Sequence, residues 1–269
     1  MDKNPQKQWA VVTGGSSGIG FSMARYLAQR GYNVVLTARG EQRLQKAVAT
    51  LKNEFDVEVK YCIADLASSE APNQIYTFCK KLKGKVSVLV NNAGYALPTS
   101  FHQTPMEEEE KFLRVLGISV IALTKLFLND MLIQGGGKIA IVSSVAAFAP
   151  PSAIQPLYGP IKTFVNRFSE GINTNYNAKG ITSTAICPGY TITNFHTASG
   201  VQEQMDRVPS FMKKEVDRIA SEGVDALLKG KKVCVPTFTF KIIVFLLRVL
   251  PHSLFSLVSR FLAPGRYED

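Results

Sequence analysis

The stretch Val11-Val12-Thr13-Gly14-Gly15-Ser16-Ser17-Gly18-Ile19-Gly20 decides the fold, because it leads from an apolar strand through a glycine-rich turn into a helix. The helix is predicted from apolar residues that recur at intervals of three and four over residues 21–28. Glycine permits a tight turn and a close approach of a phosphate group, and the first N–H groups of the helix face such an anion. The stretch therefore predicts a site for a phosphate-bearing dinucleotide.

The spacing of these glycines departs from the dinucleotide fingerprint G-x-G-x-x-G, since here they follow G-x-x-x-G-x-G. A glycine cluster of this kind also occurs in ordinary turns between a strand and a helix. The rest of the chain therefore has to distinguish the two.

After this turn, the chain alternates between strands and helices. Apolar strands are predicted over 33–38, 57–64, 86–90 and 138–142, and amphipathic helices over 41–55 and 72–82. Such alternation is typical of a parallel sheet covered by helices on both faces. With 269 residues, 46 % of them hydrophobic, and no linker, we expect one Rossmann-like, doubly wound α/β domain over 1–240, with a substrate lobe at about 190–225.

Composition excludes several classes of function. The four cysteines and the three histidines are isolated from one another, which predicts neither a metal site nor a disulfide framework. Residues 1–8 are polar and form no secretion signal, so we expect a cytoplasmic protein. The formal net charge of +10 comes from scattered basic residues without a nucleic-acid-binding motif, so no nucleic-acid partner is predicted.

The residue after the second strand indicates which dinucleotide is bound. A carboxylate at this position would bind a ribose 2′-hydroxyl, whereas a cation neutralises a 2′-phosphate. Here Arg39 follows the strand, and the first acid is Glu41. We therefore expect NADP(H) rather than NAD(H), the alternative being that Arg39 is only a solvated loop residue.

Four further motifs follow in order along the chain. They are Asp65-Leu66 after the third strand, Asn91-Asn92-Ala93-Gly94 after the fourth, Ser144 with Tyr158 and Lys162, and Pro188-Gly189 leading to Thr193. With the glycine turn, they resemble the short-chain dehydrogenase/reductase family over about residues 9 to 200, particularly its bacterial ketoacyl-reductase-like members. The resemblance implies that these motifs hold a nicotinamide cofactor, except for Asn91 and for Ser144, which is expected to be catalytic only. It also implies that Asp65 contacts the adenine and that the protein is a homodimer or homotetramer.

The residue types of the third motif fit proton transfer coupled to hydride transfer. Tyr158 is the candidate acid and base, and its ordinary pKa of about 10 is too high for this role unless a nearby ammonium lowers it. Lys162 lies four residues further on the same helical face and supplies that ammonium. Ser144 closes a strand, where ligands of open α/β sheets bind, and is expected to hold the substrate oxygen. An ordinary pair of strand-end serines is the alternative, and Ser144 is preferred to Ser143 by the resemblance.

One departure from the family concerns an asparagine that usually holds a water between the lysine and solvent. We align Ser119 with that position and count it among the catalytic residues. Because serine is shorter and makes fewer hydrogen bonds, the proton relay is expected to be altered.

The C-terminal third suggests a lipophilic substrate. Aromatic and apolar residues without a matching cation or acid could line a pocket or belong to the core, namely Leu97, Phe101, Tyr190, Phe195 and Phe211. We expect a lipid, a steroid-like compound or a 3-oxoacyl compound as substrate.

The tail over 241–269 is strongly apolar but is interrupted by charged residues and by Pro251. Its apolar run is shorter than the ~20 residues that span a bilayer. It predicts two short amphipathic helices that pack on the domain, on a second subunit, or on a membrane surface, with peripheral membrane contact through 241–262.

Taken together, these features predict an NADP(H)-dependent oxidoreductase that interconverts a carbonyl and a secondary alcohol on a lipophilic substrate. The alternative, motivated by Ser119, is a sensor or scaffold protein of the same fold that binds the cofactor with little turnover.

Overall fold

The computed structural model describes residues 8–149, 156–193 and 208–249. The strands are β1 (Gln8–Thr13), β2 (Asn33–Ala38), β3 (Val59–Ile63), β4 (Lys85–Asn91), β5 (Gly137–Val142), β6 (Ile181–Ile186), β7 (Thr191–Ile192), β8 (Lys214–Glu215) and β9 (Val233–Cys234). The α-helices are α1 (Gly18–Gln29), α2 (Glu41–Glu54), α3 (Ala71–Lys80), α4 (Met106–Leu113), α5 (Ser119–Ile133), α6 (Tyr158–Tyr176), α7 (Val216–Leu228) and α8 (Phe238–Val249).

Seven strands form one parallel sheet in the order β3-β2-β1-β4-β5-β6-β9. The order reverses between β1 and β4, which creates a crevice at the carboxyl ends of the strands, where ligands bind in folds of this type. Apolar clusters cover both faces of the sheet, one centred on Phe112, Leu123 and Phe127 and the other on Met23 and Leu27. The predicted doubly wound α/β fold is confirmed.

Helices α4 and α5 join through a π-helical turn, Arg114–Ile118, into one helical run over Met106–Ile133. Among the described residues, this run alone is long and apolar enough to cross a membrane by length and composition. However, Phe112, Leu123 and Phe127 bury one face of it in the core, and α5 packs against α3 and the sheet. We therefore interpret it as a core helix.

The predicted boundary at residue 241 falls inside α8. The helix begins at Phe238, directly after Thr237, which has a positive φ of 68°. On its inner face, Phe240 and Val244 are buried. Residues 250–269, the larger part of the predicted tail, lie outside the described residues.

Candidate cofactor and active site

The glycine turn has the geometry that its sequence requires. Gly14 and Gly18 have φ values of 63° and 55°, which side chains rarely allow. At Gly20, a Cβ atom would lie 2.3 Å from Nδ2 of Asn92 and 2.4 Å from the carbonyl oxygen of Gly14. A residue with a side chain at Gly20 would therefore displace both neighbours.

The start of α1 leaves its N–H groups available to an anion. Ser17 precedes the helix in an extended conformation without capping it through its side chain, and the first turn contains no acid. Ser16 and Ser17 line the turn, while Ile19 packs against the core beneath it. Unsatisfied N–H groups at a helix start form a phosphate site.

Asn92 braces this turn from the neighbouring strand. Its Nδ2 donates to the carbonyl oxygens of Thr13 at 2.8 Å and Gly14 at 3.3 Å. The Thr13 hydroxyl accepts from the backbone N–H groups of Asn92 and Ala93 at 2.9 and 3.0 Å. The Asn92 amide thus serves the shape of the cofactor turn, whereas the sequence predicted that this residue contacts the cofactor.

Two exposed arginines lie at the carboxyl end of β2. A Cβ atom at Gly40 would lie 3.4 Å from Nε of Arg43, so the Arg43 side chain folds back over the backbone at Gly40, the residue that follows Arg39. The Glu41 carboxylate accepts from the Tyr61 hydroxyl at 3.2 Å. Within the described residues, neither guanidinium has an ion-pair or hydrogen-bond partner. The sequence analysis missed Arg43, although its spacing of four from Arg39 was visible.

Asp65 lies at the carboxyl end of β3, the next strand along the sheet. Its Oδ1 accepts from the N–H of Ala67 at 3.0 Å, and the following Leu66 is buried. Burial is the main reason that the pKa of Tyr95 is raised, and the charge of Glu108 is the second. The charge of Arg39 also acts on this phenol and lowers its pKa, whereas the charge of Asp65 raises it. Arg39 and Asp65 therefore lie near one crevice, beside the loop that follows Gly94.

The Pro188–Thr193 segment closes the crevice from the other side. A Cβ atom at Gly18 would lie 3.5 Å from the Thr193 side chain, so this residue lies next to the glycine turn. The Pro188 carbonyl accepts from the N–H of Val145 at 2.9 Å. At Gly189, a Cβ atom would lie only 2.1 Å from the Phe240 ring of α8, so no larger residue fits.

Tyr158 and Lys162 occupy the first two turns of α6. The Lys162 Nζ lies 5.6 Å from the centroid of the Tyr158 ring and donates to the carbonyl oxygen of Val142 at 3.0 Å. The lysine is 6 % exposed, and burial lowers the pKa of its amine to about 8. The ammonium is thus held at the end of β5 and beside the phenol ring.

The two serines after β5 differ in their hydrogen bonds. The buried Ser143 hydroxyl donates to the carbonyl oxygen of Lys162 at 2.9 Å. The Ser144 Oγ accepts from the N–H of Ala146 at 3.1 Å, which leaves its own proton for another acceptor. Within the described residues, Ser144 is thus the one of the two serines whose hydroxyl proton is not committed to a hydrogen bond, and its contact with a substrate stays a prediction.

Ser119 has a partner within its own helix. Its hydroxyl donates to the carbonyl oxygen of Val115 at 2.8 Å, in the π-helical turn. Leu116 and Lys162 both face Gly94, since a Cβ atom at Gly94 would lie 3.7 Å from Leu116 Cγ and 3.9 Å from Lys162 Nζ. In the described part of the chain no bond joins Ser119 to Lys162, and its place in a relay stays a prediction.

A small recess, partly open to solvent, adjoins Tyr158. Its lining residues are Leu97, Thr99, Phe101, Glu109, Phe112, Pro156, Leu157 and Tyr158. The sequence predicted Leu97 and Phe101 there but missed Glu109. Tyr190 instead packs against Phe240 with 6.4 Å between ring centroids, Phe211 is exposed, and Phe195 lies outside the described residues.

Comparisons with known proteins agree with this arrangement. A family model described as short chain dehydrogenase matches residues 8–204. The chain is 34 % identical over 197 residues to a very-long-chain 3-oxoacyl-CoA reductase of Anas platyrhynchos, which covers 71 % of this chain and 62 % of the relative. It is 33 % identical over 195 residues to dehydrogenase/reductase SDR family member 4 of Bos taurus, and this match covers 72 % of this chain and 69 % of the relative. The chain thus matches about three fifths of the length of the first relative.

Solved structures show the same fold. A short-chain dehydrogenase from Sphingobium yanoikuyae, described as a complex with NADPH, has a TM-score of 0.77 and 26 % identity over 91 % of this chain and 97 % of its own. A short-chain dehydrogenase/reductase from Burkholderia phymatum in complex with NAD has a TM-score of 0.81 at 22 % identity, over 90 % of this chain and 93 % of its own. The described cofactors of these neighbours therefore include both nicotinamide dinucleotides.

Proposed function

Because the chain belongs to the short-chain dehydrogenase/reductase family, we propose that it is an oxidoreductase that interconverts a carbonyl and a secondary alcohol. The observation that carries the proposal is the buried Lys162 ammonium 5.6 Å from the centroid of the Tyr158 ring. A nearby ammonium favours the phenolate and so makes a tyrosine able to exchange a proton near neutral pH.

In the reducing direction, a nicotinamide cofactor held at the glycine turn would supply the hydride for the carbonyl carbon. The Tyr158 hydroxyl donates its proton to the carbonyl oxygen, which becomes the hydroxyl of the alcohol. The Ser144 hydroxyl donates a hydrogen bond to the same oxygen and stabilises the negative charge that develops on it. Lys162 stabilises the phenolate that remains, and the reverse reaction uses these groups in the opposite order.

The two arginines after β2 support NADP(H) as the preferred cofactor. Arg39 and Arg43 are exposed, and the nearby Glu41 carboxylate is bonded to Tyr61. Two guanidinium groups fit a 2′-phosphate, which accepts charge-assisted hydrogen bonds. The mainly apolar recess beside Tyr158 supports a lipophilic substrate, such as a lipid, a steroid-like compound or a 3-oxoacyl compound.

The test is oxidation of NADPH and of NADH in parallel by the purified protein, with a panel of lipophilic ketones and 3-oxoacyl thioesters. We expect turnover with NADPH that Tyr158→Phe abolishes, because the variant has no proton to donate. Binding of NADPH without turnover across the panel would instead favour the sensor or scaffold alternative. The specific observation behind that alternative is Ser119, whose hydroxyl donates to the carbonyl oxygen of Val115 in its own helix.

We also propose that the outer face of α8 contacts an anionic membrane surface. Five large apolar side chains on this face are exposed, namely Phe238, Ile242, Phe245, Leu246 and Val249. The helix has no acid and carries two cations: Lys241, which pairs with Glu222 at 3.3 Å, and Arg248, which lies 4.8 Å from the centroid of the Phe148 ring. Basic residues beside an exposed apolar stripe complement an anionic lipid surface. The proposed location is the cytoplasm, peripheral to a membrane.

In vesicle flotation, we expect the full chain to float with phosphatidylserine-containing vesicles and less with pure phosphatidylcholine. The double variant Ile242→Glu, Phe245→Glu should stay at the bottom, because both charges would enter the apolar layer. Ile133→Glu is the matched control, since Ile133 is 86 % exposed at the end of α5. If the double variant floats like the wild type, the proposal is wrong.

Sedimentation velocity of the same proteins without vesicles measures the predicted homodimer or homotetramer. A double variant that dissociates while flotation is unchanged would assign this face of α8 to a second copy of the chain instead.

A further inference from the structure

Two consecutive residues at the end of β5 hold both ends of Lys162. The Nζ atom donates to the carbonyl oxygen of Val142 at 3.0 Å. The backbone carbonyl oxygen of the same lysine accepts from the Ser143 hydroxyl at 2.9 Å. The main chain and the ammonium group of this one residue are therefore fixed to neighbouring points on the sheet.

Ser143 is itself firmly held on the sheet. Its backbone N–H donates to the carbonyl oxygen of Ile186 in β6 at 2.7 Å, so it continues the ladder between the two strands. The residue is only 3 % exposed. Because water does not readily replace a buried hydrogen bond, removal of this hydroxyl would free the main chain at Lys162 from the sheet.

The main-chain position of Lys162 affects proton exchange because the attraction between two charges falls with distance. The Nζ lies 5.6 Å from the centroid of the Tyr158 ring. Among the described residues, the Val142 carbonyl is the one hydrogen-bond acceptor of this ammonium. A lysine side chain is flexible, so a single bond at its tip does not fix the distance to the phenol when the main chain can shift.

We propose that Ser143 is a positioning residue, whose bond to the Lys162 carbonyl sets the distance between the ammonium and the Tyr158 phenol. The inference rests on the proposed function, in which this ammonium makes the phenol able to exchange a proton. It gives the two serines after β5 different tasks, with Ser144 directed to the substrate and Ser143 to the lysine.

Other titratable groups lie near these residues. The buried Cys187 thiol lies against Ser143 and donates to Oδ1 of Asn166 at 3.5 Å. Burial raises the pKa of this thiol to about 12, so it stays neutral below pH 10. Glu109 lines the recess beside Tyr158 and is unchanged in every variant below. The ammonium and the phenol titrate as a coupled pair, so a measured midpoint belongs to the pair.

The test is an ultraviolet titration of the Tyr158 phenol, taken as the difference between each protein and the same protein carrying Tyr158→Phe. We expect Ser143→Ala to raise the apparent midpoint by about 0.5 to 1 unit, because the ammonium is held less closely. Lys162→Met should raise it by at least about 1 unit. Ser143→Ala added to Lys162→Met should cause no further change, because Ser143 acts through the lysine.

Ser169→Ala is the matched control. Ser169 lies about two helical turns after Lys162 on the buried side of α6. It is fully buried, and its hydroxyl lies 2.7 Å from that of Ser183 in β6. The variant also loses a buried bond between this helix and the sheet, so it should lower the free energy of unfolding about as much as Ser143→Ala. It should leave the midpoint of Tyr158 unchanged.

Turnover gives a second measurement. In alcohol oxidation below the midpoint, kcat follows the phenolate fraction, so Ser143→Ala should lower kcat at pH 7 by about 3- to 10-fold. Above both midpoints, kcat should return to the wild-type value, which a loss of folded protein would not allow.

A midpoint in Ser143→Ala equal to that of the wild type would overturn the inference. The same shift with and without Lys162→Met would also overturn it, because Ser143 would then act independently of the lysine. If no protein turns over, the proposed function is wrong. The titration still decides the role of Ser143 in that case, because it needs neither substrate nor cofactor.

Discussion

Replacing Lys162 with methionine is expected to abolish turnover and, at the same time, to stabilise the protein. The amine is 6 % exposed, and burial lowers its pKa from 10.5 to about 8. At about 1.4 kcal/mol per pKa unit, holding this ammonium charged at pH 7 costs roughly 3 kcal/mol. The variant loses the hydrogen bond to Val142, worth about 1 kcal/mol, so we expect a net gain of about 2 kcal/mol.

The dependence on pH identifies the cause of this gain. Between pH 8 and 10.5, the unfolded chain binds more protons at this lysine than the folded chain, so the contribution of Lys162 to stability rises with pH. The gain in unfolding free energy of Lys162→Met over the wild type should therefore decrease from pH 7 to pH 10. The measurement is urea denaturation of both proteins at several pH values.

Activity of Lys162→Met is expected to fall by at least about 100-fold, because the phenolate of Tyr158 loses its stabilising charge. Lys138→Met provides a control, since Lys138 is half-buried on the same strand that ends at Val142 and burial also lowers its pKa. It should remain active. A Lys162→Met protein that is less stable than the wild type at pH 7 would contradict the assigned cost of burial.

The double variant Arg39→Asp, Arg43→Ala is expected to change the cofactor preference. It removes two cations from the carboxyl end of β2 and places a carboxylate where a ribose 2′-hydroxyl could bind. We expect KM for NADPH to rise by about 100-fold, which corresponds to the loss of charge-assisted hydrogen bonds. KM for NADH should fall or stay unchanged. Steady-state kinetics with both cofactors measures the effect.

Lys52→Asp controls for net charge in this experiment. Lys52 is exposed in the last turn of α2, at the opposite end of the helix from Arg43. It should leave the ratio of the two KM values unchanged. If the double variant also leaves that ratio unchanged, Arg39 and Arg43 do not bind the 2′-phosphate.

Local patterns predicted the elements that carry the fold. The strand β2 occupies the predicted residues 33–38, and the glycines of the first turn lie where the spacing indicated. These features depend on backbone conformation and on alternation of apolar residues, both of which are readable over short windows. The first residue of α8 was harder to predict from the sequence, because Phe238 and Phe240 continue the alternating pattern of the preceding strand.

The site residues that were missed depend on contacts between distant parts of the chain. The π-helical turn over Arg114–Ile118 adds a residue to one helical turn, so helical periodicity could not indicate that Leu116 faces Gly94. Glu109 lies in a run of four acids, which as a sequence is typical of a solvated helix face. Only the packing of α4 against the loop that follows β4 buries this one acid.

Gly189 joins three parts of the molecule that the sequence keeps apart. The Phe240 ring of α8 occupies the space of its missing side chain, and the adjoining Pro188 carbonyl is bonded to the turn that follows Ser144. A partner that fixes the position of α8 would therefore also limit the motion of the Pro188–Thr193 segment. A cofactor bound by that segment would in turn limit the motion of α8. If α8 contacts a membrane and the segment holds the cofactor, as proposed, the contact at Gly189 would couple the two events, and each would strengthen the other by the same factor.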